Sequence, residues 1–177
     1  MTVRTPVILM VLSAMSAAPM TAQGNDVIRK EGASPLATSV TYPAPKDVVF
    51  RIAYAVNTGP EKPDEVVAGF RSAANFLYVG DANAVPRSNM KLAVVVWGTA
   101  THSLLSNDAY KAAKGADNAS AALLQALHSA GVEIIVCGEA LINRKIDRKD
   151  VLPFVKIAPT ASMALATLHA QGYAIFR

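Results

Sequence analysis

From Asp47 to the end of the chain, short apolar blocks alternate with longer stretches whose apolar residues recur at helical spacing. Val48-Val49-Phe50-Arg51-Ile52-Ala53-Tyr54-Ala55-Val56 is β-rich and almost wholly apolar, which suits a strand covered on both faces. Pro63 stands at a natural first helical position, with Asp64 and Glu65 in the first turn, where they favour the positive end of the helix dipole. Val66, Val67, Phe70, Ala73, Ala74 and Leu77 follow on one helical face, and Gly80 and Asp81 end the element. Leu92 to Trp97 is a second buried strand, stopped by Gly98.

Thr99 to Gly115 is less regular, with a short helix expected around Leu104 to Lys114. Asn118 or Ser120 caps the next helix, whose apolar face carries Leu123, Leu124 and Leu127 and which Gly131 ends. Val132 to Cys137 is a third strand, followed at once by a helical run from Glu139 to Ile146. Phe154 to Ala158 is a fourth strand. Thr160 or Ser162 opens a last helix with Met163, Leu165 and Leu168 turned inward, and Tyr173 to Phe176 ends the chain as a fifth strand. Strands and helices in this alternation predict an α/β fold: a three-layer α/β/α domain over residues 47–177, with a mostly parallel sheet of about five strands.

The N-terminal pattern is different. Behind Arg4 lies the apolar stretch Val7 to Ala18, short for a span of ~20 residues and of the length of a signal h-region. Residues 1–22 are therefore expected to be a signal peptide cleaved after Ala22, giving a periplasmic or secreted protein with no membrane span after cleavage. Residues 23–46, rich in Gly, Ser, Thr, Ala and Pro, are expected to form an extended lead-in pinned by Val40 and Tyr42.

At 177 residues and 52% hydrophobic, the chain has material for one ordinary core. Its mean hydropathy of +0.29 reflects alanine and valine spread along the chain. The net charge of +4 comes without a basic run: Arg144, Lys145, Arg148 and Lys149 are interrupted by Asp147 and Asp150. That pattern reads as a solvated face, and no nucleic-acid partner is expected.

In a parallel sheet, ligand sites gather beyond the carboxyl ends of the strands. The residues there are Asn57, Gly98, Thr99, His102, Gly138 and Thr160, which are the candidate ligand-binding positions, and Cys137, the only cysteine. Cys137 falls between a strand end and a helix start, where backbone N–H groups favour a thiolate, while the charge of Glu139 opposes it. A buried, inert thiol and a functional one are both compatible with that position. No histidine pair has metal-ligand spacing and a lone cysteine makes zinc improbable, so neither a metal nor a cofactor is expected. G-x-G-x-x-G, P-loop and G-x-S-x-G motifs are missing, which removes support for dinucleotide, NTP and α/β-hydrolase chemistry.

The stretch Leu127 to Ile146, centred on Val-Glu-Ile-Ile-Val-Cys-Gly-Glu-Ala-Leu, resembles the central motif of the DsrE/DsrF-like family. So does the ending, where Val155 to Pro159 leads through a helix to Gln171-Gly172-Tyr173. The resemblance covers about Asp47 to Arg177. It implies a three-layer α/β/α fold assembled as a homo-oligomer, a trimer or hexamer. In the sulfur-relay members it implies a persulfide carried on the cysteine that matches Cys137, exchanged with a sulfur donor or acceptor protein. The chain departs from those members in its expected export and in having no second cysteine, and is closer to an exported branch of the family. A sulfur-handling role through Cys137 thus stands beside a rival: an oligomeric small-ligand-binding or assembly module without catalytic activity.

Overall fold

The structure is a computed structural model and describes residues 20–177. The elements run α1 (Met20–Gly32), β1 (Phe50–Val56), α2 (Ala68–Ala82), β2 (Met90–Val96), a 3-10 helix (Gly98–Leu104), α3 (Asn107–Lys114) and α4 (Ala121–Ser129). They continue with β3 (Glu133–Cys137), α5 (Gly138–Asn143), β4 (Lys156–Ala158), α6 (Ala161–Ala170) and β5 (Ala174–Phe176). The five strands are all parallel, in the order β4-β3-β2-β1-β5.

Strand alternation divides the core between the two faces of the sheet. Ile52, Val56, Leu92, Val94, Val96, Ile134 and Val136 point to one face, where they meet Phe70 and Leu77 of α2 and Leu123, Leu124 and Leu127 of α4. Ala53, Ala93, Val95 and Cys137 point to the other, where Ala161, Ala164 and Leu168 of α6 cover them. This is the expected three-layer α/β/α sandwich, with unequal outer layers. Each fully buried Phe or Leu contributes about 1.5–3 kcal/mol, which makes the α2/α4 side the main source of stability.

Five expectations need correction. The lead-in is not extended throughout: α1 packs outside α2 and α4, beyond the three layers. Ile28 is buried there, Gly32 lies against the Ala74 backbone, and Glu31 pairs with Arg71 at 3.1 Å. Tertiary contact overrides the poor helix composition. The predicted signal segment lies outside the described residues as far as residue 19, and the predicted cleavage point after Ala22 falls within α1.

The helix expected from Pro63 begins at Ala68. Before it, the Glu65 N–H donates to the Lys62 carbonyl at 3.1 Å in a turn, and the Pro63 carbonyl accepts from the Tyr110 hydroxyl at 2.8 Å. In α6, Met163 is exposed and the inward row is Ala161, Ala164 and Leu168, which pack with Ala53, Ala93, Val95 and Cys137 of the strands. The helix after Cys137 stops at Asn143, where Arg144 leaves helical geometry and Lys145 takes a φ of 54°. The fourth strand starts two residues late, at Lys156, because the Arg148 guanidinium holds the preceding carbonyls of Val151, Leu152, Pro153 and Val155 at 3.0–3.4 Å.

Candidate functional site

The register sets one row of residues across the carboxyl ends of the strands. Val56, Val96 and Val136 are partners, and Cys137 pairs with Ala158. One step further, Asn57, Trp97 and Cys137 come abreast. Cys137 and Trp97 belong to the cluster beneath α6, with Cys137 buried at 6% exposure and Trp97 half-buried. The connections leaving β1 and β2 pass to the α2/α4 face, whereas the one leaving β4 passes to the α6 face. Cys137 ends the strand between them, at the divergence where ligand crevices form in open α/β sheets.

The candidate residues fall into three groups. Asn57, Gly98 and Thr99 form a knot at the ends of β1 and β2. The Asn57 carbonyl accepts from Ala100 N–H at 3.3 Å and from the Thr99 hydroxyl at 3.4 Å, and Thr99 Oγ1 accepts from Gly59 N–H at 2.9 Å. Gly98 has φ of +58°, and a Cβ there would collide with the Asn57 carbonyl oxygen. Its glycine is a requirement of the turn. Asn57 also lines an open cavity of about 420 Å³ with Glu61, Glu65, Arg71 and Arg177.

Cys137, Gly138 and Thr160 form the second group. Cys137 is the residue that enters α5, and the Glu139 N–H donates to the Pro159 carbonyl at 3.4 Å. A Cβ on Gly138 would stand 2.9 Å from the Ala158 carbonyl oxygen. Gly138 therefore serves the close approach of α5 to the end of β4. The Thr160 hydroxyl accepts from Met163 N–H at 3.1 Å and caps α6, so its oxygen is engaged by its own helix.

His102 follows Gly98 and Thr99 on the same 3-10 helix. Burial, then the charges of Lys114 and Arg144, hold its pKa below the ordinary 6.5, and a weaker backbone interaction with Thr99 pulls the other way. The positive charges of Lys114, which ends α3, and of Arg144, just past α5, thus act on His102. Neither Lys114 nor Arg144 stood out in the sequence, where Arg144 read as part of a solvated face. Trp97 beside Cys137 was legible only through strand register. His102 and Thr99 are linked through the Thr99 backbone, and no cluster of His, Cys, Asp or Glu among the described residues suits a metal ion. No described helix is long and apolar enough to cross a membrane.

Chemically, the row offers one thiol in an apolar wall, with Trp97 packed against the same cluster. Such a thiol is shielded from bulky reagents by α6 and Trp97.

Comparison with known proteins agrees with this architecture. Among solved structures, the protein of unknown function MTH1491 from Methanobacterium thermoautotrophicum is similar, with 18% identity and a TM-score of 0.50. The match spans 72% of this chain and 98% of that one, and it bears on the fold alone. The ychN protein from E. coli is 16% identical with a TM-score of 0.49, over 71% of this chain and 96% of its own. No curated protein matches the chain significantly. The model of the DsrE/DsrF-like family matches residues 51–177, from the second residue of β1 through the end of β5, and the chain belongs to that family.

Proposed function

We propose that this chain is an exported, homo-oligomeric sulfur-handling protein that carries sulfane sulfur as a persulfide on Cys137. The observation that carries the reading is the position of the only cysteine: it ends β3, between strands whose connections leave toward opposite faces, in a domain of this family. The Cys137 thiolate attacks the outer sulfur of a persulfide donor, R–S–SH. The new S–S bond forms on Cys137 as the donor S–S bond breaks, and R–S⁻ leaves with the electron pair. No external oxidant is needed. Acceptor thiols reverse the step.

Burial of Cys137 beneath α6 and beside Trp97 favours small polysulfides over bulky protein donors as direct sources. The test is intact-mass measurement of the full chain after exposure to polysulfide and removal of the excess. The chain is expected to gain the mass of one sulfur atom, lost on thiol treatment and missing in Cys137→Ser. A chain that gains none, although Cys137 alkylates after denaturation, defeats the reading. The export element is checked by N-terminal sequencing of exported protein, which should begin near Gln23. The oligomer is checked by light scattering, which should give a trimer or hexamer mass.

A second reading is a module that holds a small anion without chemistry, favoured by the positive charges of Lys114 and Arg144 that act on His102. Sulfate or thiosulfate binding that survives Cys137→Ser and is lost in Arg144→Ala favours it.

A further inference from the structure

The chain has five Phe, five Tyr and one Trp, and an unusual share of them meets at one corner far from Cys137. Phe50, which opens β1, lies edge-on to Phe76 of α2 with ring centroids 5.6 Å apart. Tyr54, further along β1, lies against Phe176 of β5 at 6.0 Å. Tyr42, on the segment before β1, is 92% exposed and completes a cavity of about 370 Å³ with Phe50, Tyr54 and Phe76. Phe50 pairs in register with Met90, another lining residue, so the cavity lies toward the amino ends of β1 and β2. Cys137 and the candidate site occupy the opposite end of the sheet.

Three features set the chemistry of an occupant. None of the lining residues is Asp, Glu, Lys, Arg or His, so a charged group would lose its hydration without compensation. Three lining side-chain atoms make no hydrogen bond to another described residue, the Tyr42 and Tyr54 hydroxyls and the Asn75 oxygen, and all three reach solvent. The Asn75 amide nitrogen is already used, donating to the Gly32 carbonyl at 2.8 Å and to Ser34 Oγ at 2.9 Å. Burial pushes the Tyr54 pKa up to about 12, so that group is a neutral phenol able to donate.

The cavity wall is also held. Its outer side, Tyr42 to Pro45, runs into Lys46, whose carbonyl accepts from the Asn89 amide at 2.8 Å. A volume in the range of small-molecule sites, an apolar lining and a few accessible polar atoms are the attributes of a ligand pocket.

We infer that this corner is a binding site for a small, uncharged, planar aromatic molecule carrying a hydrogen-bonding group, enclosed by Tyr42, Phe50, Tyr54 and Phe76. The rings take its faces and edges, Tyr54 donates to it, and the Asn75 oxygen accepts from it. The site is independent of Cys137 and of any sulfur chemistry.

The probe is indole, titrated into the full chain labelled at the methionine methyl groups. Met90 lines the cavity and Met163 is exposed on α6, so the two report specific and general binding. Indole is expected to shift the Met90 resonance saturably and to leave Met163 in place. Benzoate and benzylammonium, of similar size but charged, should bind roughly tenfold more weakly or worse. Tyr54→Phe should leave indole, which has no acceptor, nearly unchanged, and should weaken 7-azaindole, whose second ring nitrogen accepts, about fivefold through one lost hydrogen bond. Tyr42→Ala, which cannot disturb the core at 92% exposure, should weaken it as well. Equal shifts at Met90 and Met163, or an affinity unchanged by Tyr42→Ala, overturn the inference. So does a Met90 shift that follows protein concentration without indole, which would mean that a second copy fills the cavity.

Discussion

The Asn118 side-chain amide donates to the Ser103 carbonyl at 3.0 Å, and so ties the approach to α4 to the 3-10 helix that carries His102. The same nitrogen donates to the Leu105 carbonyl at 2.7 Å, and the side-chain oxygen accepts from Ser120 N–H at 3.1 Å. Ser120 in turn accepts from Val67 N–H at 3.2 Å, which settles the entry to α2. One buried amide thus aligns the helical layer with the loop at the end of β2. Asn118→Ala leaves two carbonyls and one N–H buried without partners, and is expected to cost about 2–3 kcal/mol. Urea unfolding should show a lower midpoint with an unchanged slope. An unchanged midpoint would mean that water replaces the amide.

His102 gives the fold a pH dependence with a definite sign. Its folded pKa lies below the ordinary 6.5, so above 6.5 both folded and unfolded forms are neutral and its contribution to stability is complete. As pH falls through 6.5 the unfolded chain takes up a proton that the folded chain resists, and stability declines until the folded pKa is passed. Imidazole resonances should titrate with a midpoint below 6.5, and Lys114→Ala or Arg144→Ala should raise it only in part, because burial is the larger cause. A midpoint at or above 6.5 would refute this account.

The Arg148 bracket predicts a different outcome. Its guanidinium meets four carbonyls of residues 151–155, a fork that an ammonium cannot match. Arg148→Lys should therefore lose nearly as much stability as Arg148→Ala, about 1 kcal/mol in each case given the partly exposed setting. Thermal unfolding of the two variants side by side checks it. Full rescue by lysine would make the charge, and not the geometry, the important property.

The central strands were legible because β1, β2 and β3 are buried on both faces and so carry unbroken apolar runs. Fold class followed from their spacing. What remained hidden depends on partners distant in sequence. The Gly/Ser-rich lead-in conceals α1, whose support is Ile28, Gly32 and the Glu31–Arg71 pair. Pro63 looks like a helix start until Tyr110 is found holding its carbonyl. At the candidate site, strand-end positions could be named from the pattern. Their grouping could not, since Trp97 meets Cys137 through register, and the charges of Lys114 and Arg144 act on His102 from the end of α3 and from just past α5.

Gly98→Ala tests the turn at the end of β2. Both the positive φ of +58° and the Asn57 carbonyl oppose a side chain there. The expected cost is about 1–3 kcal/mol, with the loss of the Asn57–Thr99 knot visible as faster amide exchange at Gly59 and Ala100. Gly131→Ala, with φ of +87° and open space around the Cβ, is the control that isolates backbone strain from collision. Equal losses in the two variants would remove the collision from the explanation.

Access to the thiol is the remaining point of control. Cys137 is 6% exposed, in a cluster with Ala161 and Ala164 of α6 against which the half-buried Trp97, abreast of it just past β2, also packs. Alanines on a packed helix face cannot swing aside, whereas an indole at a strand end can rotate. Trp97 is therefore the movable part of the wall. Native-state alkylation of Cys137 by a small reagent should be slow in the parent chain and several-fold faster in Trp97→Ala. Trp97→Phe should restore most of the protection. A bulky maleimide should discriminate between the variants more than iodoacetamide, because the opened space is that of one side chain. Stability must be followed in parallel, since a faster rate that tracks global unfolding would report a loosened fold. If Trp97→Ala retains the parent stability and the parent rate, α6 alone guards the thiol, and sulfur exchange at Cys137 would require the helix to move.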